Sequence, residues 1–364
     1  MAVIIESAVL SRALKSAAAI VEGANTIPVL ANVRLEAIGA KLEIVTSNLE
    51  IEFRQLLPLV SGEGLATTVD ARKFAAITGA VESGAQIALE EKDGRLTVKS
   101  GRSRWVLPVI PVSQFPDLPF EAEADGIDMP GKDLASVIAR TAWSTSVEAA
   151  KYYIAGIFFN EEGGRLRVAS TNGFTLFVLD TATAWPKAAP DVIVPTKYAR
   201  LLERLAGEAS RVDLLWDDKK IRATIGDVTL TGKLIEGIFP DYRRIIPKAG
   251  DAPLVTDPES LRKALRRIEL VGTEKSRAIV FEPGKGLIDL RMSDYGSASE
   301  ASEQVPADCE GGNRTGFNVA FLAGALEAVG GETVEIHQED PGSIALIRRT
   351  VPDGAICGVM PMSV

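Results

Sequence analysis

The sequence predicts an α+β protein made of three copies of one domain, with antiparallel sheets and two helices in each copy. The first observation is an internal repeat: Phe115-Pro116-Asp117-Leu118 returns as Phe239-Pro240-Asp241-Tyr242, 124 residues further along. The residues ahead of it repeat too, because 69–77 is echoed by 194–202 and by 317–326. A period of roughly 120 residues is far longer than that of a stacked solenoid repeat, so we expect each copy to be a domain with its own core.

The second observation is helical spacing of apolar residues in two segments of every copy. In the first segment Val9, Leu10, Ala13 and Leu14 fall on one helical face. The fifth segment begins at 257–258, where Asp followed by Pro is typical of an N-cap and a first helical turn. The predicted helices are 5–21, 70–81, 131–142, 196–206, 258–269 and 318–329.

The third observation is alternation of apolar and polar residues in pairs of short segments separated by glycine turns. Such pairs are 33–37 with 41–45, 156–159 with 165–168, and 278–281 with 287–290. They predict antiparallel hairpins after the first helix of each copy. Linkers are expected near 121–126 and 248–253. The predicted domains are therefore 1–121, 127–247 and 253–364.

Composition is that of an ordinary globular chain, with 46% hydrophobic and 24% charged residues among 364. No apolar run is long enough to span a membrane, and the first residues lack the basic start of a signal peptide. Cys309 and Cys357 are the only cysteines, which fits a reducing compartment. We expect a cytoplasmic protein with no metal site, no cofactor and no membrane partner.

Positive charge is concentrated in the predicted helices, although the whole chain carries a formal charge of −9. The six helices contain thirteen Lys and Arg residues and seven Asp and Glu residues, so they sum to +6 while the remainder sums to −15. One charged helix face is ordinary for a soluble protein. Five helices of six with the same sign favour a surface that meets phosphates without reading bases, as on duplex DNA.

Motifs for catalysis are weak. Residues 126–133 nearly match a phosphate-binding loop, but Asp133 replaces the hydroxyl that would bind magnesium. His337 is the sole histidine, and its polar neighbours predict a surface position. The sequence therefore predicts a protein that is not an enzyme. The alternative is a nucleic-acid enzyme with a basic face, which would need an acid cluster or nucleophile that the sequence does not display.

Six segments, taken in their order and spacing, carry a resemblance to a known family. They are 26–32 (TIPVLAN), 71–74 (ARKF), 100–104 (SGRSR), 239–247 (FPDYRRIIP), 316–319 (GFNV) and 359–362 (VMPM). Through them the chain resembles the bacterial DNA polymerase III beta subunit, the sliding clamp of replication, over essentially its full length. The resemblance implies a processivity factor: two chains join head to tail in a ring, with sheets outside and helices lining a channel for double-stranded DNA.

The resemblance also assigns residues to three surfaces. The DNA-facing residues are Arg12, Lys15, Arg72, Tyr152, Tyr153, Lys197, Arg200, Arg204, Arg262 and Arg266. The dimer interface comprises Lys73, Arg102 and Arg104 on one side and Leu270, Val271, Glu300 and Glu303 on the other. A cleft for partner peptides comprises Ile154, Thr171, Gly173, Phe174, Thr175, Leu176, Pro240, Arg244, Ile245, Asn318, Phe321, Val359, Met360, Pro361 and Met362.

The partners implied are the polymerase III catalytic subunit, the clamp loader, and other polymerases and repair proteins, each bound through a short linear peptide. The flexible thioethers of Met360 and Met362 suit a site that takes several peptides, although both could simply belong to a terminal strand. Phe174 and Thr175 stand where the family commonly has His-Arg, and Ser276 where it often has an aromatic residue. These departures leave open the peptide preference and whether the chain is the main clamp or a paralogue serving a repair polymerase.

Overall fold

The computed structural model describes residues 2–23, 26–120, 126–187, 189–247, 249–250, 252–273, 277–294 and 296–364. Six α-helices lie among them, two in each sequence repeat. They are α1 (Ser7–Ala18), α2 (Ala71–Gly79), α3 (Gly131–Thr141), α4 (Thr196–Ala206), α5 (Pro258–Ile268) and α6 (Val319–Val329). The six predicted helices are thus present, and the α+β class with antiparallel sheets is confirmed.

Twenty-four strands lie in the described residues, and every named pairing between them is antiparallel. The first twelve are β1 (Val3–Glu6), β2 (Asn32–Ile38), β3 (Lys41–Ser47), β4 (Ile51–Pro58), β5 (Ala66–Asp70), β6 (Gln86–Lys92), β7 (Arg95–Ser100), β8 (Ser103–Pro108), β9 (Ile127–Pro130), β10 (Gly156–Glu162), β11 (Arg165–Thr171) and β12 (Thr175–Ala184). The remaining twelve are β13 (Val192–Pro195), β14 (Arg211–Trp216), β15 (Lys220–Ile225), β16 (Val228–Lys233), β17 (Leu254–Thr256), β18 (Ala278–Gly284), β19 (Leu287–Asp294), β20 (Ser299–Pro306), β21 (Thr315–Asn318), β22 (Val334–His337), β23 (Ala345–Arg349) and β24 (Ala355–Val359).

The chain divides into two compact units. The first unit is 1–130 with 208–233, and the second unit is 131–207 with 234–364. The first unit holds a four-stranded sheet, β1-β6-β7-β8, and an eight-stranded sheet, β5-β2-β3-β4-β16-β15-β14-β9. The second unit holds an eight-stranded sheet, β13-β10-β11-β12-β24-β23-β22-β17, and a four-stranded sheet, β20-β19-β18-β21.

Each eight-stranded sheet draws its strands from two successive repeats. In the first unit β4 pairs with β16, which places Glu52 opposite Thr231, and in the second unit β12 pairs with β24, which places Leu176 opposite Gly358. The strands of the second repeat are thus divided between the two units, while each keeps its place in the repeat. A repeat read along the chain cannot show which strand edges will join, since that pairing is between distant residues.

The helices begin where side chains satisfy their first N–H groups. Asp257 accepts hydrogen bonds from the N–H groups of residues 259 and 260, and Asn318 accepts from those of residues 320 and 321. The prediction that the first helix starts at Ile5 is wrong. Residues 3–6 form β1, where Ile5 pairs with Ile87, and the Glu6 carboxylate caps α1 from outside.

Apolar faces of the helices supply much of the core. In α4, Tyr198, Leu201 and Leu202 are buried while the basic residues of the same helix are exposed. Burying a leucine side chain stabilises the fold by about 1.5–3 kcal/mol, which anchors each helix to its sheet. No helix in the described part of the chain is long and apolar enough to cross a membrane.

His337 does not lie on the surface, so that prediction is wrong. The residue is 6% exposed, and its Nε2 lies 3.0 Å from a carboxylate oxygen of Glu335 on the same strand. Glu335 also accepts a hydrogen bond from Arg348 on the neighbouring strand β23. The polar residues that follow His337 in the sequence misled the prediction, because the strand itself is covered.

Candidate binding cleft and nucleic-acid interface

The turn between β11 and β12 is shaped by side-chain hydrogen bonds. Asn172 Oδ1 accepts from the N–H groups of Phe174 at 2.9 Å and Thr175 at 2.8 Å. Thr171 Oγ1 accepts from the Gly173 N–H at 3.1 Å and donates to the Thr175 carbonyl at 2.7 Å. Gly173 has a φ of +91°, a conformation that side chains rarely adopt. The turn therefore holds Phe174 in one position at the start of β12.

Phe174 is 51% exposed and forms the outer part of an aromatic surface. Its ring stacks on that of Phe321, in α6, with centroids 6.0 Å apart and planes 20° from parallel. The Lys151 ammonium lies 5.5 Å from the Phe174 centroid and 2.9 Å from the Glu148 carboxylate. Lys151 was not among the predicted cleft residues. In the 3₁₀ turn 149–154, only neighbours of Lys151 were predicted to belong to a functional surface.

The floor beneath this surface is apolar. Leu176 is 2% exposed and belongs to a buried cluster with Ile154, Phe239 and Tyr242. Val359 is fully buried in β24, beside Gly358. A Cβ at Gly358 would lie 2.6 Å from Ile344 Cδ1 and 3.6 Å from Leu176 Cβ, so only glycine leaves room for the Ile344 side chain over the strand. Ile344 was missed because it lies in an irregular stretch before β23.

The C-terminal residues are attached by two backbone hydrogen bonds. The Met360 N–H donates to the Phe174 carbonyl at 2.8 Å, and the Met362 N–H donates to the Gly316 carbonyl at 2.9 Å. A Cβ at Gly316 would lie 2.2 Å from the Met362 oxygen, so only glycine admits this crossing. Both methionine side chains are exposed, and Pro361 is partly buried. The strand position and the exposed thioethers thus coexist.

The remaining predicted cleft residues differ in what they offer a ligand. Pro240 and Ile245 are exposed, and Arg244 is exposed while paired with Asp241 at 2.8 Å. Thr175 is 2% exposed, and its hydroxyl lies 2.6 Å from Ser144 Oγ, so it presents little polar surface. Ser276 lies outside the described residues.

The predicted DNA-facing cations fall into two groups. Exposed residues that form no ion pair within the described residues are Arg12, Lys15, Arg204 and Arg266. Lys197 is also exposed, as is Tyr152, whose ring meets that of Tyr153 edge to face at 5.8 Å.

The other cations bond to groups of the protein itself. Arg200 pairs with Glu203 at 2.8 Å, and Arg72 donates to the Val21 carbonyl at 2.8 Å. Arg262 pairs with the carboxylates of residues 259 and 327 and has a mostly buried side chain. Counting charges along the sequence therefore overstates the free positive charge, since it does not show which cations pair with acids of their own helix or, as Arg262 does with residue 327, of another helix.

The predicted interface residues lie on exposed edges. Leu270 is 83% exposed in a 3₁₀ turn after α5. Lys73, Arg102 and Arg104 are exposed, and the last lies in the edge strand β8. Glu300 and Glu303 lie in the edge strand β20, where Glu303 pairs with Arg267 of the same chain. The Arg267 guanidinium holds the pKa of the Glu303 carboxyl below its ordinary value.

Comparisons with known proteins agree along the whole chain. Residues 1–119, 128–241 and 243–363 match the N-terminal, central and C-terminal domains of the DNA polymerase III beta subunit. The beta sliding clamp of Pseudomonas aeruginosa is 33% identical over 98% of both chains, and that of Caulobacter vibrioides is 33% identical over 100% of both. The beta sliding clamp of Escherichia coli is 31% identical over 93% of both chains.

Solved structures give the same result. The crystal structure of the DNA polymerase sliding clamp from Pseudomonas aeruginosa matches with a TM-score of 0.93 at 32% identity, covering 100% of both chains. The same organism's clamp bound to griselimycin matches equally well, and a Caulobacter crescentus polymerase III beta structure matches with a TM-score of 0.92.

Proposed function

This chain belongs to the DNA polymerase III beta subunit family, and from that premise we propose that two copies join head to tail in a ring around duplex DNA. The chain is a sliding clamp, a processivity factor of DNA replication. Its task is then to tether a polymerase, a role that requires no catalytic group of its own. We place it in the cytoplasm on the same grounds, and the domain boundaries 1–121, 127–247 and 253–364 remain predictions.

One observation carries the head-to-tail proposal: each unit has one incomplete sheet. Each eight-stranded sheet forms where the edge strands of two four-stranded groups from successive repeats pair, β4 with β16 and β12 with β24. The two four-stranded sheets stop at β8 and at β20. By position in the repeat, β8 corresponds to β16 and β20 corresponds to β4. Pairing β8 of one chain with β20 of another would complete the third sheet and cover both exposed edges.

The repeat also predicts the register of this pairing. Leu230 of β16 lies opposite Phe53 of β4, and their counterparts at the seam are Trp105 and Ala301. Two residues away, Ser103 would lie opposite Glu303, at a pair without mutual backbone hydrogen bonds. Residues in such pairs are about 4.5 Å apart at Cα, within the range that a disulfide bridges. Opposite charges at 104 and 300 would then be diagonal neighbours, which favours this orientation.

A disulfide experiment tests the seam. In a Cys309→Ser background, Ser103→Cys with Glu303→Cys should yield covalent dimers on oxidation, seen on non-reducing gels. Ser103→Cys with Ser302→Cys is the matched control, because residue 302 faces the other side of the strand. Efficient crosslinking of the control pair, or none of the test pair in a protein that sedimentation shows to be dimeric, would refute the register.

We propose that exposed helix cations contact DNA phosphates. Arg12 and Lys15 on α1, Lys197 and Arg204 on α4, and Arg266 on α5 support this role. Contacts of this kind are independent of base sequence and weaken steeply with salt. A closed ring does not need tight contacts to stay on DNA.

We propose that the cleft of the second unit binds short peptides of the polymerase III catalytic subunit, the clamp loader, and other polymerases and repair proteins. The buried floor at Leu176 and the exposed side chains of Phe174, Ile245, Met360 and Met362 support an apolar ligand. Such short peptides typically reach micromolar affinity, about −8 kcal/mol, because their ordering costs entropy. Direct titration of a peptide carrying two large apolar side chains tests the site.

A further inference from the structure

A cavity of about 570 Å³ opens on the first unit, built by that unit alone. Its walls include Arg34 and Glu36 of β2, Arg54 of β4, Thr229 of β16, and Leu118 from the segment that ends the first repeat. Arg34 is 8% exposed and bonds Asp117 and Glu43 through its terminal nitrogens. Its Nε is buried without a hydrogen-bond partner in the described part of the chain. The cavity is therefore lined by polar groups, and one wall residue, Arg34, has a buried N–H without an acceptor among the described residues.

The second unit has a counterpart of the Leu118 position, and there a larger side chain is buried. Leu118 corresponds to Tyr242, because Phe-Pro-Asp precedes both. Tyr242 is 2% exposed and packs in a cluster with Leu176, Val178 and Phe239, with Ile356 at its margin. By strand register these are the counterparts of residues 52, 54, 115 and 229 in the first unit. Tyr242 is thus the buried counterpart of Leu118, which lines the cavity of the first unit.

The hydroxyl of Tyr242 shows which neighbouring group a phenol can bond to at this position. It lies 3.3 Å from Asn160 Oδ1, and Asn160 corresponds to Glu36 in the first unit. On the ring face, the Arg243 guanidinium lies 5.1 Å from the Tyr242 centroid. The first unit has a carboxylate, Glu36, at the position of the Asn160 amide, and its cavity wall also carries the guanidinium groups of Arg34 and Arg54.

We propose that the cavity of the first unit binds a phenol group, presented as a tyrosine side chain by a partner peptide. The phenol hydroxyl would donate to the Glu36 carboxylate, a charge-assisted hydrogen bond. The ring would lie against guanidinium groups, which attract the face of an aromatic ring. This site is separate in chemistry from the apolar cleft of the second unit and does not depend on peptide binding there.

The probe is p-cresol, the side-chain analogue of tyrosine, titrated into the full-length protein with labelled Ile and Leu methyl groups. The methyl resonances of Ile38 and Leu118 should shift, and toluene, which lacks the hydroxyl, should bind about tenfold more weakly. N-acetyl-tyrosinamide should shift the same methyls, which would show that the site accepts the phenol when it is attached to a peptide backbone. Unmoved methyls at millimolar p-cresol, equal binding of toluene, or failure of the tyrosinamide would overturn the proposal.

Two variants keep the test independent of folding. Leu118→Tyr should place a phenol in the cavity from within, and so abolish the p-cresol shifts while raising the thermal midpoint. Glu36→Ala should weaken p-cresol about tenfold and leave toluene unchanged. A folded Leu118→Tyr protein that binds p-cresol as before, or equal losses of both probes in Glu36→Ala, would contradict the assigned pose.

Discussion

The two units carry the same strand framework with opposite chemistry on it. In the second unit the Met360 N–H donates to the Phe174 carbonyl at 2.8 Å, and in the first the Lys233 N–H donates to the Glu50 carbonyl at the same distance. Two residues further along the strand lies Leu176 in one unit and Glu52 in the other. One framework therefore supports an apolar cleft in the second unit and a charged network in the first.

The preceding turn shows how little the backbone depends on these choices. Asn48 Oδ1 accepts from the N–H groups of residues 50 and 51, as Asn172 Oδ1 does from those of residues 174 and 175. Leu49 adopts a φ of +72° where Gly173 has +91°. A leucine in this conformation is strained, yet the asparagine and the strand pairing hold it. Local hydrogen bonds thus determine the framework, and the residues on its face determine the ligand.

In the first unit the face is occupied by the protein's own charges. Glu52 accepts from the Leu118 N–H at 3.0 Å and from Arg54 at 3.1 Å, while Glu43 joins Arg54 and Arg34. A buried carboxylate with this many donors is satisfied only as long as all of them remain. The apolar Leu176 of the second unit thus has a charged, hydrogen-bonded counterpart in the first.

The largest expected effect comes from Glu52→Leu, which gives the first unit the residue of the second. It leaves the Leu118 N–H and one Arg54 nitrogen without their acceptor. The free energy of unfolding should fall by about 3 kcal/mol, the lower end of the range for a broken buried pair, because Arg54 stays partly hydrated. Urea denaturation measures this. Glu50→Ala, which removes an exposed pair with Lys233, is the control and should cost less than about 1 kcal/mol. Equal losses of unfolding free energy in the two variants would show that the buried charges of the first unit do not stabilise it.

Gly316→Ala should have the next largest effect, on peptide affinity rather than stability. The added methyl would collide with the Met362 oxygen and displace one wall of the cleft. Peptide binding measured by calorimetry should weaken about tenfold, or about 1.4 kcal/mol. Gly250→Ala is the control, since no atom lies within 4 Å of a Cβ there. Unchanged affinity in Gly316→Ala would remove the C-terminal segment from the site.

Phe174→Ala should weaken the same peptide by about threefold to tenfold, since an aromatic pair contributes about 0.5–1.5 kcal/mol. Phe174→Tyr keeps the ring over Phe321 and should bind almost normally. If alanine and tyrosine behave alike, the aromatic surface does not contact the peptide. Lys151 lies 5.5 Å from the centroid of this ring, so a cation lies beside the aromatic pair.

The smallest effect concerns the third copy of the strand, β20, where Glu300 corresponds to Glu52 and Leu176. Its neighbour Glu303 has a lowered pKa because of Arg267. A carboxyl with a lowered pKa stabilises the fold above its ordinary pKa, and that contribution is lost as pH falls through the folded-state value. Unfolding monitored from neutral to acidic pH should show a small loss that Glu303→Gln lacks. Parallel curves for both proteins would mean that the pair adds nothing to stability.

The sequence alone determined the repeat, the helices and the family. Spacing of apolar residues placed six helices to within a few residues, and Asp257 and Asn318 act as the N-caps that their positions suggest. These features depend on residues near one another in the chain, where propensity and capping act. The matched segments at 239–247 and 359–362 directed attention to the cleft for the same reason.

Only the tertiary structure decided which strand edges pair and which side chains bond to or pack against one another. Some features depend on residues brought together from distant segments. They are the burial of His337, the position of Ile344 over Gly358 and the position of Lys151 over Phe174. The cavity beside Leu118 is of the same kind. Its wall combines strands of the first and second repeats with the segment around Leu118, and only packing brings them together.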